Sequence, residues 1–197
     1  MLNLVSLAVI TALNLLTVYF VIVFEYHHLH DENHLFENLQ AILLGCGVLV
    51  SSLLLRSTTD LDGFVWAGLG LLCVSFLLRE LDVEQLPLPA LLQAAGTGSG
   101  RTALLGSLWL ALGGAFLLRQ RDKWQFIRRF VAGPVCACLA LALLLLVGSA
   151  LMDKELLPFA HPRLLEELFE INAYAFLLWP ALHRFWTLGQ APRGNLP

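Results

Sequence analysis

Apolar residues along this chain come in long runs, not in the strict alternation of a strand or the three-and-four spacing of a half-buried helix. Six such runs, separated by short polar segments, predict helices over roughly Leu2 to Phe24, Leu35 to Leu55, Gly63 to Val83, Thr102 to Leu118, Phe130 to Leu151 and Leu164 to Leu182. About 20 apolar residues cross a hydrocarbon layer about 30 Å thick. The pattern therefore predicts an all-α integral membrane bundle of six transmembrane helices, with residues 1–197 forming one membrane domain. The first run has no basic start and no small-residue cleavage site before Glu25, so it is expected to remain attached as a span.

Composition agrees with this reading. Hydrophobic residues make up 58% and charged residues 14%, where a soluble domain carries roughly 25% charged residues. The lipid bilayer is the first partner implied, and no separate soluble domain fits.

Charge sets the orientation, because Lys and Arg in short loops are retained on the cytoplasmic side. The richest loop, RQRDKWQFIRR, holds Arg119, Arg121, Lys123, Arg128 and Arg129. Placing it inside also places Arg56, Arg184 and Arg193 inside, and leaves Arg79, Arg101, Lys154 and Arg163 outside, eight against four of the twelve basic residues. Both termini are then cytoplasmic, in an inner (plasma) membrane. Among the acids only Asp60, Asp62 and Asp122 fall inside; the other twelve of fifteen lie at the outer face, with five of the six histidines.

Several short patterns carry no chemistry. GTGSGRT, Gly96 to Thr102, lacks the spacing and the lysine of a phosphate loop and is expected to be a flexible outer linker. KWQFIRRF mixes aromatic and basic residues, but beside a span it reads as an anchor on anionic lipid headgroups, with no nucleic acid implied. Cys46, Cys73, Cys136 and Cys138 all fall in predicted spans and suggest packing, not a disulfide framework.

The informative residues are the polar ones that span length forces below the surface. Counting about 20 residues back from His183 and Arg184 places Glu170 about 9 Å beneath the outer boundary, with Glu167 near it. Gly63 to Leu78 is too short to cross alone, so Arg79 and Glu80 are expected within the third span, followed by Asp82. The second span brings Glu37 and Gln40 to the same level, and Glu167, Glu170 and Tyr174 share one helical face. An intramembrane charge is costly unless it pairs or lines a wet cavity. Glu37, Gln40, Arg79, Glu80, Asp82, Glu167, Glu170 and Tyr174 thus form an expected outward-facing polar site. Asn3 and Asn14, on the first span, suit interhelical hydrogen bonds.

The segment EYHHLHDENHLFE, Glu25 to Glu37, opens two readings of that face. His30, His34 and Glu37 have helical spacing suited to a divalent transition metal, and His161 with Glu167 and Glu170 would add a second half-site. Alternatively, the acids form a hydrated rim that attracts cations to a cavity below.

At FENLQAILL (Phe36 to Leu44), FLLRELDVE (Phe76 to Glu84) and LLEELFEINAYAFLL (Leu164 to Leu178), the chain resembles small bacterial polytopic membrane proteins of unassigned function. That resemblance implies a six-span fold and the importance of Glu37, Arg79, Glu80, Asp82, Glu167 and Glu170, and no activity. The zinc-dependent hydrolases of the alkaline ceramidase and progestin-receptor-like type carry an HxxxH pair in a late span, which His161 and His183 do not reproduce.

The expected function is non-enzymatic: binding or passage of a small ligand or cation, or service as a membrane subunit beside another membrane protein or a second copy. The alternative is a metal-dependent hydrolase or transferase acting on lipid at the outer leaflet. Reporter fusions after Arg129 and after Pro197 should report the cytoplasm, and a fusion at Gly98 the outside. A cytoplasmic signal at Gly98 would invert the assignment of every polar residue above.

Overall fold

In a computed structural model, the described residues are 35–58, 61–81, 96–154 and 162–189, with the single positions Asn14, Tyr19, Pro87, Pro89, Gln93, Ala94 and Leu156. They form six helices: α1 (Leu35–Ser57), α2 (Leu61–Glu80), α3 (Gly98–Arg119), α4 (Lys123–Val131), α5 (Pro134–Asp153) and α6 (Pro162–Gly189). The predicted first span lies outside the described residues, apart from Asn14 and Tyr19. Four helices, α1, α2, α3 and α5, are long and apolar enough to cross a bilayer.

The helix ends follow from local chemistry. Asp122 caps α4, its side chain accepting the Gln125 backbone N–H at 3.2 Å. Gly133 and then Pro134 open α5, with proline in the first turn where no donor is lost. The glycines of GTGSG, expected to be a linker, instead start α3 four residues earlier than the apolar run. Gly98 adopts φ +47°, which glycine enters without strain, and helical structure follows at once. KWQFIRRF is likewise a helix, α4, and not a loop. Its bulky apolar residues gather on one side of a nine-residue helix and Arg128 and Arg129 fall on the other, as in helices that lie along a membrane surface.

α5 packs along α6, and α1 packs along both α2 and α6; α3 and α4 are attached at the margin. The main core joins Leu44 and Leu54 of α1, Trp66, Leu69 and Cys73 of α2, Ala142 of α5, and Ala173, Tyr174, Phe176, Leu177 and Ala181 of α6. α6 runs for 28 residues, about 42 Å. It falls outside the four helices apolar enough to cross a bilayer, although the apolar run predicts a span over Leu164 to Leu182, and it contains the most buried residues of the described helices. Its polar side chains turn toward its neighbours. α3 is the reverse, with no buried residue and with Leu110 and Leu118 at 79% and 88% exposure. A helix that is apolar outward and polar inward suits a hydrocarbon surround.

Small residues let α1 and α2 approach. A Cβ added at Gly47 would stand 2.7 Å from Cys73 Sγ, and one at Gly70 would stand 3.3 Å from Ser51 Cβ. Gly45, two residues away, faces open space. Gly47→Val should therefore destabilise the folded protein by about 1–3 kcal/mol through overpacking. Gly45→Val should be neutral or slightly stabilising, measured by unfolding in mixed micelles. Equal effects at the two positions would mean that α1 and α2 are not this close.

Candidate polar site between α1, α2, α5 and α6

The antiparallel arrangement brings the start of α1, the end of α2, the end of α5 and the start of α6 to one end of the bundle. A small apolar cluster of Phe36, Leu164 and Leu168, with Ile171 against it, holds the starts of α1 and α6 together there. Arg79 extends from the last turn of α2 and is the hub. Its Nη2 donates to Glu170 Oε1 at 2.5 Å and to the Tyr174 hydroxyl at 3.1 Å, while its Nε donates to Glu80 Oε1 at 3.0 Å. Tyr174 closes the ring by donating to Glu80 Oε1 at 2.7 Å. The Phe76 ring packs on Tyr174 and also lies beneath the Arg79 guanidinium, 5.8 Å from its ring centre to Cζ.

This arrangement balances one cation against two carboxylates. The side chains of Glu80 and Glu170 are only 10% and 11% exposed, whereas that of Arg79 is 48% exposed. Arg79 thus stands at the margin of the protein and reaches in to the two carboxylates. Charge-assisted bonds of this type are stronger than neutral ones, most of all where little water competes.

A second pair lies beside it. Gln40, fully buried on α1, donates Nε2 to Glu167 Oε2 at 2.6 Å. That is the hydrogen bond the structure gives to Glu167, itself 8% exposed, and Gln40 Oε1 is buried with no partner among the described residues. Glu170, Glu166, Glu37 and Glu80 all lie within electrostatic reach of Glu167, so like charge surrounds it.

Of the residues expected from the sequence, Arg79, Glu80, Glu170 and Tyr174 form one hydrogen-bonded group, and Gln40 and Glu167 form another. Glu37, half-buried on α1, stands near enough to add to the negative field. Asp82, His30, His34 and His161 lie outside the described residues. Among the described residues, no group of three His, Cys, Asp or Glu side chains is placed to hold a metal ion. Asn14 and Asn172 exchange two hydrogen bonds, at 2.9 and 2.7 Å, matching the interhelical role read for Asn14.

Two contributors were not anticipated. Ser149 donates to Glu170 Oε1 at 3.1 Å, adding α5 to the site. It is the sole hydroxyl residue in α5, and that was the available signal. Arg101, expected in a loop, lies in the first turn of α3 and donates to the Leu78 carbonyl at 2.8 Å. It satisfies a carbonyl that the end of α2 leaves open.

No protein-family model matches this chain, and neither curated proteins nor solved structures show a detectable likeness to it. The short motifs that resemble other polytopic proteins therefore assign no family, and the reading of the site rests on its own geometry.

That geometry predicts unequal single-mutant costs. Arg79→Met leaves two nearly buried carboxylates without their cation and should cost about 3 kcal/mol or more. Glu170→Gln leaves Arg79 with Glu80 and should cost about 1–2 kcal/mol. The double variant should fall short of the sum by at least about 1 kcal/mol. Strictly additive losses in mixed-micelle unfolding would show that the two charges do not interact.

Proposed function

We propose that the chain is a six-span protein of a bacterial inner membrane, with both termini in the cytoplasm, whose outward-facing polar site binds a small cation. The observation that carries this reading is the Gln40 and Glu167 pair. A buried carboxylate receives one neutral hydrogen bond, and the amide oxygen beside it is an acceptor without a donor. Both oxygens are suited to receive positive charge or N–H donors. The acids around Glu167 make the local potential negative, since Arg79 is already shared by Glu80 and Glu170. The acidic rim inferred from the sequence would draw cations toward the same face.

The two halves of the site then have different roles. Arg79, Glu80, Glu170, Tyr174 and Ser149 fix the relative positions of α2, α5 and α6. Gln40 and Glu167, bridging α1 and α6, supply the ligand oxygens. The metal-dependent hydrolase alternative draws no support from the described residues.

Purified protein in detergent should show the effect directly. At constant ionic strength, replacing the bulky cation N-methylglucamine with sodium, potassium or methylammonium should raise the melting temperature by a few degrees for the ion that fits, through preferential binding to the folded state. Glu167→Gln and Gln40→Ala should each remove that rise, and Asp153→Asn, an exposed acid near the same end, should retain it. Equal stability in all four salts, or an undiminished rise in Glu167→Gln, would overturn the proposal.

A further inference from the structure

At the opposite end of the bundle, a cavity of about 700 Å³ lies between the start of α2, α4, the start of α5 and the last third of α6. Its volume falls within the range of small-molecule sites, which are concave, largely apolar and oriented by a few polar groups. The deeper wall is apolar and aromatic, including Trp66, Phe130, Trp179 and Pro180. Arg129 of α4 and Arg184 of α6 line the same cavity from two separate helices. No acid among the described residues forms an ion pair with Arg129, and Arg184 has only a loose contact with Asp62, 3.8 Å apart with both side chains well exposed.

One polar group of the wall is unsatisfied. Trp66 is 5% exposed, and its indole N–H has no acceptor among the described residues. α4 forms the cover. It is an amphipathic surface helix whose Phe126 and Phe130 rings stack in parallel 6.2 Å apart toward the bundle, while Arg128 lies over the Trp124 ring.

We infer that this cavity is the seat of one anionic glycerophospholipid from the adjoining leaflet, with its phosphate between Arg129 and Arg184 and an acyl chain along the Trp66, Phe130 and Pro180 wall. Three observations select a lipid over a soluble anion. The cationic groups lie at the same cavity as a long apolar wall, which a free phosphate would leave bare. The cover is a helix of the kind that lies in the headgroup layer. The cavity is also at the end of the bundle richest in basic residues, which the positive-inside rule places at the cytoplasmic leaflet, where anionic lipids concentrate. This inference is independent of cation binding at the other end and requires only the orientation tested by the Gly98 fusion.

The test is native mass spectrometry of delipidated protein titrated with phosphatidylglycerol, phosphatidylcholine of the same chains, or glycerol phosphate. The first phosphatidylglycerol should bind at least about tenfold more tightly than phosphatidylcholine, and glycerol phosphate should not compete with it. Arg129→Gln and Arg184→Gln should each reduce that preference by about fivefold, the loss expected for one basic residue at an anionic surface. Arg56→Gln, which removes a basic residue at the same end of the bundle but outside the cavity, should leave it unchanged. Ala137→Trp, which fills the cavity, should weaken both lipids together. Equal binding of the two lipids by the unaltered protein would overturn the inference without reference to any variant. An equal effect of Arg56→Gln would replace a defined site with a diffuse basic surface, and competition by glycerol phosphate would identify a soluble anion as the occupant.

Discussion

The bond between Arg79 and Glu170 is the contact on which the rest of the polar end depends. Among apolar helices there is little hydrophobic force to set one against another, because lipid chains are as apolar as leucine. Close packing and polar contacts must do so instead. Arg79 meets Glu170 of α6 while also holding Glu80 of its own helix and the hydroxyl of Tyr174, and Glu170 accepts a further bond from Ser149 of α5. One guanidinium therefore ties α2 to α6 and, through a shared carboxylate, to α5. Leaving any of these nearly buried carboxylates unpaired would cost several kcal/mol, so the bundle has one favoured arrangement of its ends.

This constraint explains why α6 is both the most polar long helix and the most buried. Glu167, Glu170, Asn172 and Tyr174 would be expensive on a lipid-facing surface, and each instead has a partner on another segment. α3 needs no such partners. Most of its leucines face outward, and its attachment to α2 includes Arg101 to the Leu78 carbonyl, Trp109 to Ser75, and the edge-to-face pair of Phe64 and Phe116. The two ends of the bundle consequently differ in kind. One is acidic and closely bonded, and the other is basic, aromatic and hollow.

Much of this was legible in the sequence because membrane thickness is a ruler. Counting residues from the ends of apolar runs puts Gln40, Arg79, Glu167 and Glu170 at similar depth, and the structure brings them into two adjoining hydrogen-bonded groups. The same ruler failed where the chain leaves the hydrocarbon. Arg119 to Arg129 contains too few apolar residues to register as a span, so α4 was read as a loop, although its sides are segregated at helical spacing. Gly96 to Thr102 reads as a flexible linker in the sequence, whereas Gly98 uses its positive φ to begin a helix. Ser149 and Arg101 were missed for a different reason. A lone serine in an apolar helix and an arginine after a glycine run have no pattern of their own, and only the packing of α5 and α3 shows what they bond.

The central claim is that α1 and α6 meet through Gln40 and Glu167 in the folded membrane protein. Paired cysteines at these positions, in a background without the four native ones, test it directly in native membranes with a short bifunctional thiol cross-linker. Gln40→Cys with Glu167→Cys should yield a linked peptide pair by mass spectrometry. Leu39→Cys with Glu167→Cys should not, because Leu39 faces away from the site while Gln40 is fully buried in it. Equal linkage of both pairs, or linkage of the Leu39 pair alone, would contradict the arrangement on which the cation site is built.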